Sequence, residues 1–524
     1  MPHYLGLDLS TQQLKCTVIN SEHRIIAEDA VNFDNDLPEF GTVHGAIIHG
    51  DVATSPPMMW IKALDMLLER LAAKNVVNNI CGIAGDAQQH ASVYWSAKGV
   101  EALKNLDPSQ PLTEQFSNAF SRAQSPIWQD ASTTKECRAL EQFVGGDQAL
   151  ANLTGSKAYE RFTGNQIAKF YHNEKEAYDA TQYIQLVSSF LASLLLGNIA
   201  PVDANEGSGT NMMNIMTHRW DKDLVDFCGG KDLYGKLALE PTEGGVRLGQ
   251  IAPYYVKRYG FNPECVIMPF TGDNAATLSS MNLRSGDCVV SLGTSDTVLV
   301  YLKKQDAVPT TEAHLMAHPT DPEGFMGMIC YKNGSLARQR IRDLYANGSW
   351  DTFNEYLGKP CKEGQIGFYY WMQEIVPFAK GIHRFENGQP VEEFSEPQTN
   401  VPAILESQFF SMLLRVKYMM PLSKVRRILA TGGASVNKNL LQVLSDVFGL
   451  PVYKSQGTNS ASLGGALLAK YGMREDKNMT LEEMVNQTQG DDLDLICQPN
   501  LERTKLFKEK LSTFERLENE ITKR

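Results

Sequence analysis

Two short stretches of this chain set small, hydroxyl-bearing and acidic residues in a turn between β-rich runs, and they are written alike. The first is Leu5 to Val18, LGLDLSTQQLKCTV, and the second is Val289 to Leu302, VVSLGTSDTVLVYL. With Thr11 set against Thr294, Asp8 stands opposite Ser291 and Ser10 opposite Gly293. Turns of this kind leave backbone N–H groups and hydroxyls free to hold an anion. Two of them on facing domains could grip a polyphosphate from both sides, which points to an ATP-using enzyme with its site in an interdomain cleft.

Each turn has a chemical reading and a plain one. Asp8 ends an apolar run, where a charge is costly to bury alone. It could organise Mg2+ through water, since that ion sheds its waters reluctantly, with Thr11 and Gln12 donating to phosphate; or it could simply cap the turn. Ser291 to Ser295 offers Gly293 for close backbone approach and the Thr294 and Ser295 hydroxyls for an oxyanion. Thr271-Gly272-Asp273-Asn274 lies between a strand and AATLSSM, so Asp273 could be a helix N-cap. It could also be the general base that accepts the proton of an attacking hydroxyl, because phosphoryl transfer needs an oriented nucleophile and charge stabilisation. Gly432, Gly433, Ala434 and Ser435 join a strand to a helix, where small residues let a flat adenine or ribose lie against backbone. Asp86, Gln88, Gln89 and His90 cluster at a strand's C-terminal end, a suitable place for a polyol. There is no dinucleotide GxGxxG and no GxxxxGK[ST] P-loop, so if ATP binds, it binds by another design.

Positioning these residues requires alternating strands and helices. YLGLDL, LKCTVI and RIIAEDAVNF read as three strands; Pro56 and Pro57 open a helix with Ile61, Leu64, Leu68 and Leu71 on one face. A strand at 79–85 and a β-rich ASVYW at 91–95 follow, and the order implies a mixed sheet with flanking helices. Residues 104–126 are polar with three prolines and read as a surface excursion; 133–225 read as mostly helical. The chain restarts with VIMPF, which places a domain boundary near residue 265, giving domains 1–265 and 266–524. In the second, VRRILATGG leads to a helix closed by Gly449, then PVYKS and SASLGGALLAKYG. The charged tail from 500 reads as a solvated helix.

The totals exclude several classes. With 524 residues and 43% hydrophobic content the chain can fill more than one core. A net charge of −12 argues against nucleic acid or anionic membrane as partners. Nine cysteines without CxxC spacing read as reduced thiols of a cytoplasmic protein. His314 and His318 lack a carboxylate partner and are not expected to bind metal. The N-terminus has no secretory pattern, and Tyr183 to Leu196 is too short and too polar to span a membrane.

With those residues in hand, the chain resembles the FGGY carbohydrate kinases, which share the actin/hexokinase/Hsp70 ATPase fold, and most closely their eukaryotic members acting on D-xylulose. The resemblance rests on GLDLSTQQLK, QQHASVYW, YERFTGNQIAK, EGSGTNMMNI, TGDNAAT, SLGTSDT and ATGGASVNKNLLQVLSDVFG, in order along nearly the whole chain. It implies an α/β fold of two RNase H-like domains with the active site in the cleft between them. It also implies phosphorylation of D-xylulose by Mg·ATP to D-xylulose 5-phosphate. Gln89, His90, Arg161, Asp273 and Asn274 would then bind sugar, with Asp273 as base. Thr11, Gln12, Gly293 and Thr294 would face phosphate, Asp8 the Mg2+, and Gly432, Gly433, Ala434, Asn437 and Trp350 the adenosine. Ala91 stands where many relatives have Gly, and Ser132 where the wider family has Arg in a WxDxR pattern, which weakens the inference to one sugar. Rival expectations are a family member for another ketopentose or polyol, and a non-catalytic actin-like nucleotide switch; as an enzyme it is expected to be a monomer or homodimer.

Overall fold

The computed structural model describes residues 1–455, 460–487 and 493–522. They form two compact units. The first comprises residues 1–283, 316–324 and the described part of 458–491; the second comprises 284–315, 325–457 and 492–524 as far as described.

The first unit is organised by β1 (His3–Leu9), whose period-two pattern sends Leu5, Leu7 and Leu9 into one core, all fully buried. That core also holds Ile61, Leu64, Leu68 and Leu71 of the helix Pro57–Ala73, the face expected from their spacing, together with Trp60. On the opposite face Gly6 lets the helix Ala461–Gly472 lie against the strand: a Cβ at Gly6 would fall 1.9 Å from the Ser462 carbonyl oxygen. β1 pairs antiparallel with β2 (Gln13–Asn20), which pairs antiparallel with β3 (Ile25–Asn32). On its other edge β1 runs parallel to β4 (Ile80–Ala87), and β4 runs parallel to β5 (Val266–Ile267) and β6 (Thr271–Gly272). The order β3-β2-β1-β4-β5 is that of an RNase H-like sheet.

The second unit repeats it. β7 (Asp287–Leu292) pairs antiparallel with β8 (Asp296–Lys303), which neighbours β9 (Gly324–Tyr331). β7 runs parallel to β10 (Arg427–Thr431), and β10 parallel to β11 (Val452–Ser455). The two hairpins read from sequence therefore occupy the same place in the two sheets.

Four expectations are corrected. The boundary falls after Leu283 rather than near 265, because β5, β6 and the helix Asp273–Ser280 complete the first unit. SASLGGALLAKYG returns to the first unit, against β1, for the reason given at Gly6. Residues 104–126 are not merely superficial: Leu112 and Phe116 are buried, and Phe116 meets Trp95 edge-on at 5.7 Å. The tail helix, Leu501–Thr522, buries Phe507, Lys510, Phe514, Leu517 and Ile521, a stripe of three- and four-residue spacing. Two buried ion pairs fasten it to the helix Asn400–Met419: Lys510 Nζ to Glu406 Oε2 at 2.5 Å, and Arg415 Nη1 to Glu518 Oε2 at 2.6 Å. Among the described residues no helix is long and apolar enough to cross a membrane.

Removing one partner of a buried ion pair strands the other, at a cost of about 3–5 kcal/mol. Lys510→Met should lower the first thermal unfolding transition by several degrees, and Glu406→Gln added to it should recover most of that loss. An unchanged transition in Lys510→Met would return the tail to the status of a solvated helix.

Candidate active site

The strand register gathers acids that are far apart in sequence. Asp8 of β1 stands beside Asp86 of β4, and Asp86 stands beside Thr271 of β6, so three adjacent parallel strands end together. Asp273 follows β6 directly as the first residue of its helix. The N-cap is Gly272, which corrects the plain reading of Asp273 as the cap. Asp273 Oδ1 instead accepts the Asn274 backbone N–H at 2.8 Å and Asn274 Nδ2 at 3.0 Å. Asp203 and Glu206 complete the group; Asp86, Asp203 and Glu206 are each at most 2% exposed.

Burial and mutual repulsion set the charge states. Burial, then the Asp8 charge, pushes Asp273 up to about 7, against the opposing pull of the Asn274 donors. Burial likewise pushes Asp203 up to about 7. Asp8 is raised by burial, Asp86 by burial and then by Asp8 and Asp273, and Glu206 by burial and then by Asp203. Among the described residues, Asp8 Oδ1, both Asp86 oxygens and Glu206 Oε1 are buried without a hydrogen bond.

His90 sits opposite in character. Burial, then the Arg161 charge, lowers its pKa to about 3, so the ring is neutral. Its Nδ1 lies 2.9 Å from the Gly209 carbonyl, which makes Nδ1 the donor and leaves Nε2 as an acceptor. The ring stacks on Phe162 at 4.6 Å, and Arg161 lies over Tyr159 at 4.9 Å. The backbone of His90 is left-handed, with φ 71°, a conformation His adopts more readily than most residues. Gly209 is obligatory here, since a Cβ would come within 2.8 Å of the ring. At the β1–β2 turn, Thr11 Oγ1 accepts the Trp128 indole N–H at 2.8 Å, and Gln12 is exposed.

In the second unit the remaining expected residues converge at the ends of β7 and β10. Gly432, with φ 82°, packs on Leu292 so closely that a Cβ would lie 2.6 Å from its carbonyl oxygen, beside Gly293. Thr294 and Gly433 are exposed, and nothing lies within 4 Å of a Cβ at Gly433. Ala434 follows in the same short turn. Asn437 caps the helix Lys438–Phe448, and its Nδ2 donates to Asn354 Oδ1 at 2.8 Å, tying in the helix Trp350–Tyr356. Trp350 is 38% exposed under the Arg342 guanidinium.

Sequence reading did not single out Asp296 and Arg338, a fully buried pair with bonds of 2.6 and 3.0 Å that clamps the phosphate-type turn. Asp86 was visible only as part of a polar turn, and Glu206 only as the first letter of EGSG.

The chain belongs to the FGGY family of carbohydrate kinases: the family's N-terminal domain matches residues 121–279 and its C-terminal domain residues 288–473. It is therefore a carbohydrate kinase by family. It is similar to "Xylulose kinase" of Mus musculus, 42% identical over 527 residues that cover 99% of this chain and 94% of that one. It is 41% identical over 514 residues to "Xylulose kinase" of Schizosaccharomyces pombe, covering 93% and 92%. Among solved structures, ligand-bound xylulose kinase from Lactobacillus acidophilus matches with a TM-score of 0.79 at 16% identity, covering 99% of this chain and 98% of that one, a likeness of fold.

The raised carboxylates make unliganded stability depend on pH in a definite direction. Asp273 and Asp203 hold their protons to about 7 when folded, against roughly 4 when unfolded. The folded state thus binds more protons in between, and stability falls as pH rises through that window. Calorimetry from pH 4.5 to 8.5 should show this decline. Asp86→Asn, which replaces an acid that is costly to ionise there with a neutral isostere, should raise the Tm at pH 8 by a few degrees; a Tm at or below that of the unmodified protein would count against the assignment.

Proposed function

We propose that the protein transfers the terminal phosphoryl group of ATP to the terminal hydroxyl of D-xylulose, giving ADP and D-xylulose 5-phosphate. The relatives' names support the sugar. The observation that carries the chemistry is Asp273: a carboxylate near neutral in pKa, held at a helix N-terminus by Asn274 and set beside other acids. A general base works best with a pKa near the operating pH. Asp273 would accept the hydroxyl proton as the oxygen attacks. Neutral His90 would accept a sugar hydroxyl at Nε2, and Arg161 and Asn274 would hold others. A polymerising or chaperone-like switch has no use for such a set.

On the second unit, Gly293 and Thr294 would offer N–H and hydroxyl groups to phosphate, with Thr11 and Gln12 doing so from the first. Gly432, Gly433, Ala434, Asn437 and Trp350 would line the adenosine. The orphaned Asp8 and Asp86 oxygens suit a cation, while no cage of three His, Cys, Asp or Glu exists among the described residues. That combination fits Mg2+, which keeps several waters and takes the rest of its shell from phosphate, with Asp8 holding it through water. When bound, the ion would neutralise charge on the phosphates. Nine free thiols suit a reducing compartment, and the reading is of a cytoplasmic enzyme, monomeric or homodimeric.

An ADP-release assay across D-xylulose, D-ribulose, L-ribulose, L-xylulose, L-fuculose and glycerol should show the highest kcat/KM for D-xylulose, rising with pH through about 7 as Asp273 ionises. Asp273→Asn should lose about 10²–10⁴ in kcat with the KM for ATP little changed. Preference for another sugar would replace the substrate; normal turnover of the variant would remove the base.

A further inference from the structure

Asn274 is tied to Asp273 twice, and both bonds end on the same oxygen, Oδ1. The second hydrogen of Asn274 Nδ2 goes to Gln89 Oε1, at 3.4 Å. That contact orients the Gln89 amide, with its oxygen toward Asn274 and Nε2 on the far side. Glu206 lies there. A Cβ at Gly272 would meet Gln89 Nε2 at 2.6 Å and Glu206 Oε1 at 2.8 Å, so the two side chains converge over the bare glycine. Glu206 is anchored from behind: Ser188 Oγ donates to Oε2 at 2.8 Å, and Asp203 Oδ1 accepts the Glu206 backbone N–H at 2.9 Å. Oε1 is buried without a hydrogen bond among the described residues, and Gln89 lies near enough to oppose the rise of the Glu206 pKa, while Gln89 Nε2 donates to Met316 Sδ at 3.9 Å.

We propose that Glu206 and Gln89 are positioning residues that fix the direction of the Asn274 amide, and so leave Asp273 with one carboxylate oxygen held and the other directed at the acceptor hydroxyl. This deepens the reading of Asp273 as base and rests on it. The logic is that an amide has a donor end and an acceptor end. With the acceptor Glu206 Oε1 at the head of the chain, Gln89 presents Nε2 to it and Oε1 to Asn274. Asn274 must then present Nδ2, whose two hydrogens serve Gln89 and Asp273. Reversing the chain would turn the Asn274 carbonyl oxygen onto the Asp273 carboxylate, which repels it. On this proposal Gln89, expected from sequence to bind sugar, acts through Asn274.

The test is steady-state kinetics on the full-length enzyme with the best sugar of the panel. Gln89→Met keeps the volume and removes the amide; kcat should fall by about 10- to 100-fold, the scale of a misplaced catalytic group. KM for ATP and for sugar should change by less than about threefold, whereas loss of a plain sugar contact raises KM at constant kcat. Glu206→Leu should carry the same signature. Glu206→Gln, which can offer its oxygen to Gln89 and its nitrogen to Ser188, should recover most of what Glu206→Leu loses. Because the residues act as one chain, the Glu206→Leu, Gln89→Met double variant should lose no more than the worse single. Unchanged kcat in folded Gln89→Met, a loss confined to sugar KM, or additive losses would overturn the proposal. If Glu206→Leu does not fold, Gln89→Met and Glu206→Gln decide it. Asp273→Asn run alongside separates the two readings. If that variant turns over normally, both fall; if it is inactive while Gln89→Met is normal, only this one does.

Discussion

Several carboxylates are forced together at the ends of three parallel strands of a mixed sheet, and the first unit is arranged around the cost of keeping them there. Asp8 and Asp86 come from neighbouring strands in register, Asp273 follows the next strand, and Asp203 and Glu206 stand behind. Buried like charges disfavour one another and shift toward the neutral form. What offsets this is local and specific: two donors from Asn274 on Asp273, a serine hydroxyl on Glu206, a backbone N–H on Asp203. Neither Asp86 oxygen accepts a hydrogen bond among the described residues. The same tension that costs stability puts Asp273 near the pKa a general base needs.

The two units set different residues at the same point of one strand order. Asp8 beside Asp86 in the first corresponds to Ser291 beside Thr431 in the second, at the same junction of hairpin and parallel strand. Acids at that junction favour cations and proton acceptance; glycine and hydroxyls favour phosphate. The buried Asp296–Arg338 pair then holds the second hairpin without placing charge at its tip.

What was legible in the sequence was local. Each hairpin lies within fourteen consecutive residues, and the strand and helix around Gly432 declare themselves by apolar pattern and a closing glycine. Asp273 stood out as an acid at a strand-to-helix junction beside Gly272, with a helix N-cap as the rival reading. The placement of Asp86 and Glu206 was not legible, because it depends on strand register and, for Glu206, on a glycine 66 residues further on. The true boundary was hidden because β5 and β6 pair with a strand about 180 residues earlier in the chain. The tail was misread because its stripe contains Lys510, which is buried only by virtue of Glu406 on another helix.

The return of the helix Ala461–Gly472 to lie on Gly6 has a bearing on how the chain is made. β1 is made about 450 residues ahead of the helix that covers it, so the surface at Gly6 stays uncovered until residues beyond 460 have been synthesised. The second unit is also finished late, by the tail helix. Neither half can therefore mature as an early, self-sufficient product of translation, and the nascent chain carries an open sheet face for most of its synthesis. A nascent chain halted just after the first unit's nominal end would lack the helix that seals it, and would be a client for chaperones rather than a folded domain.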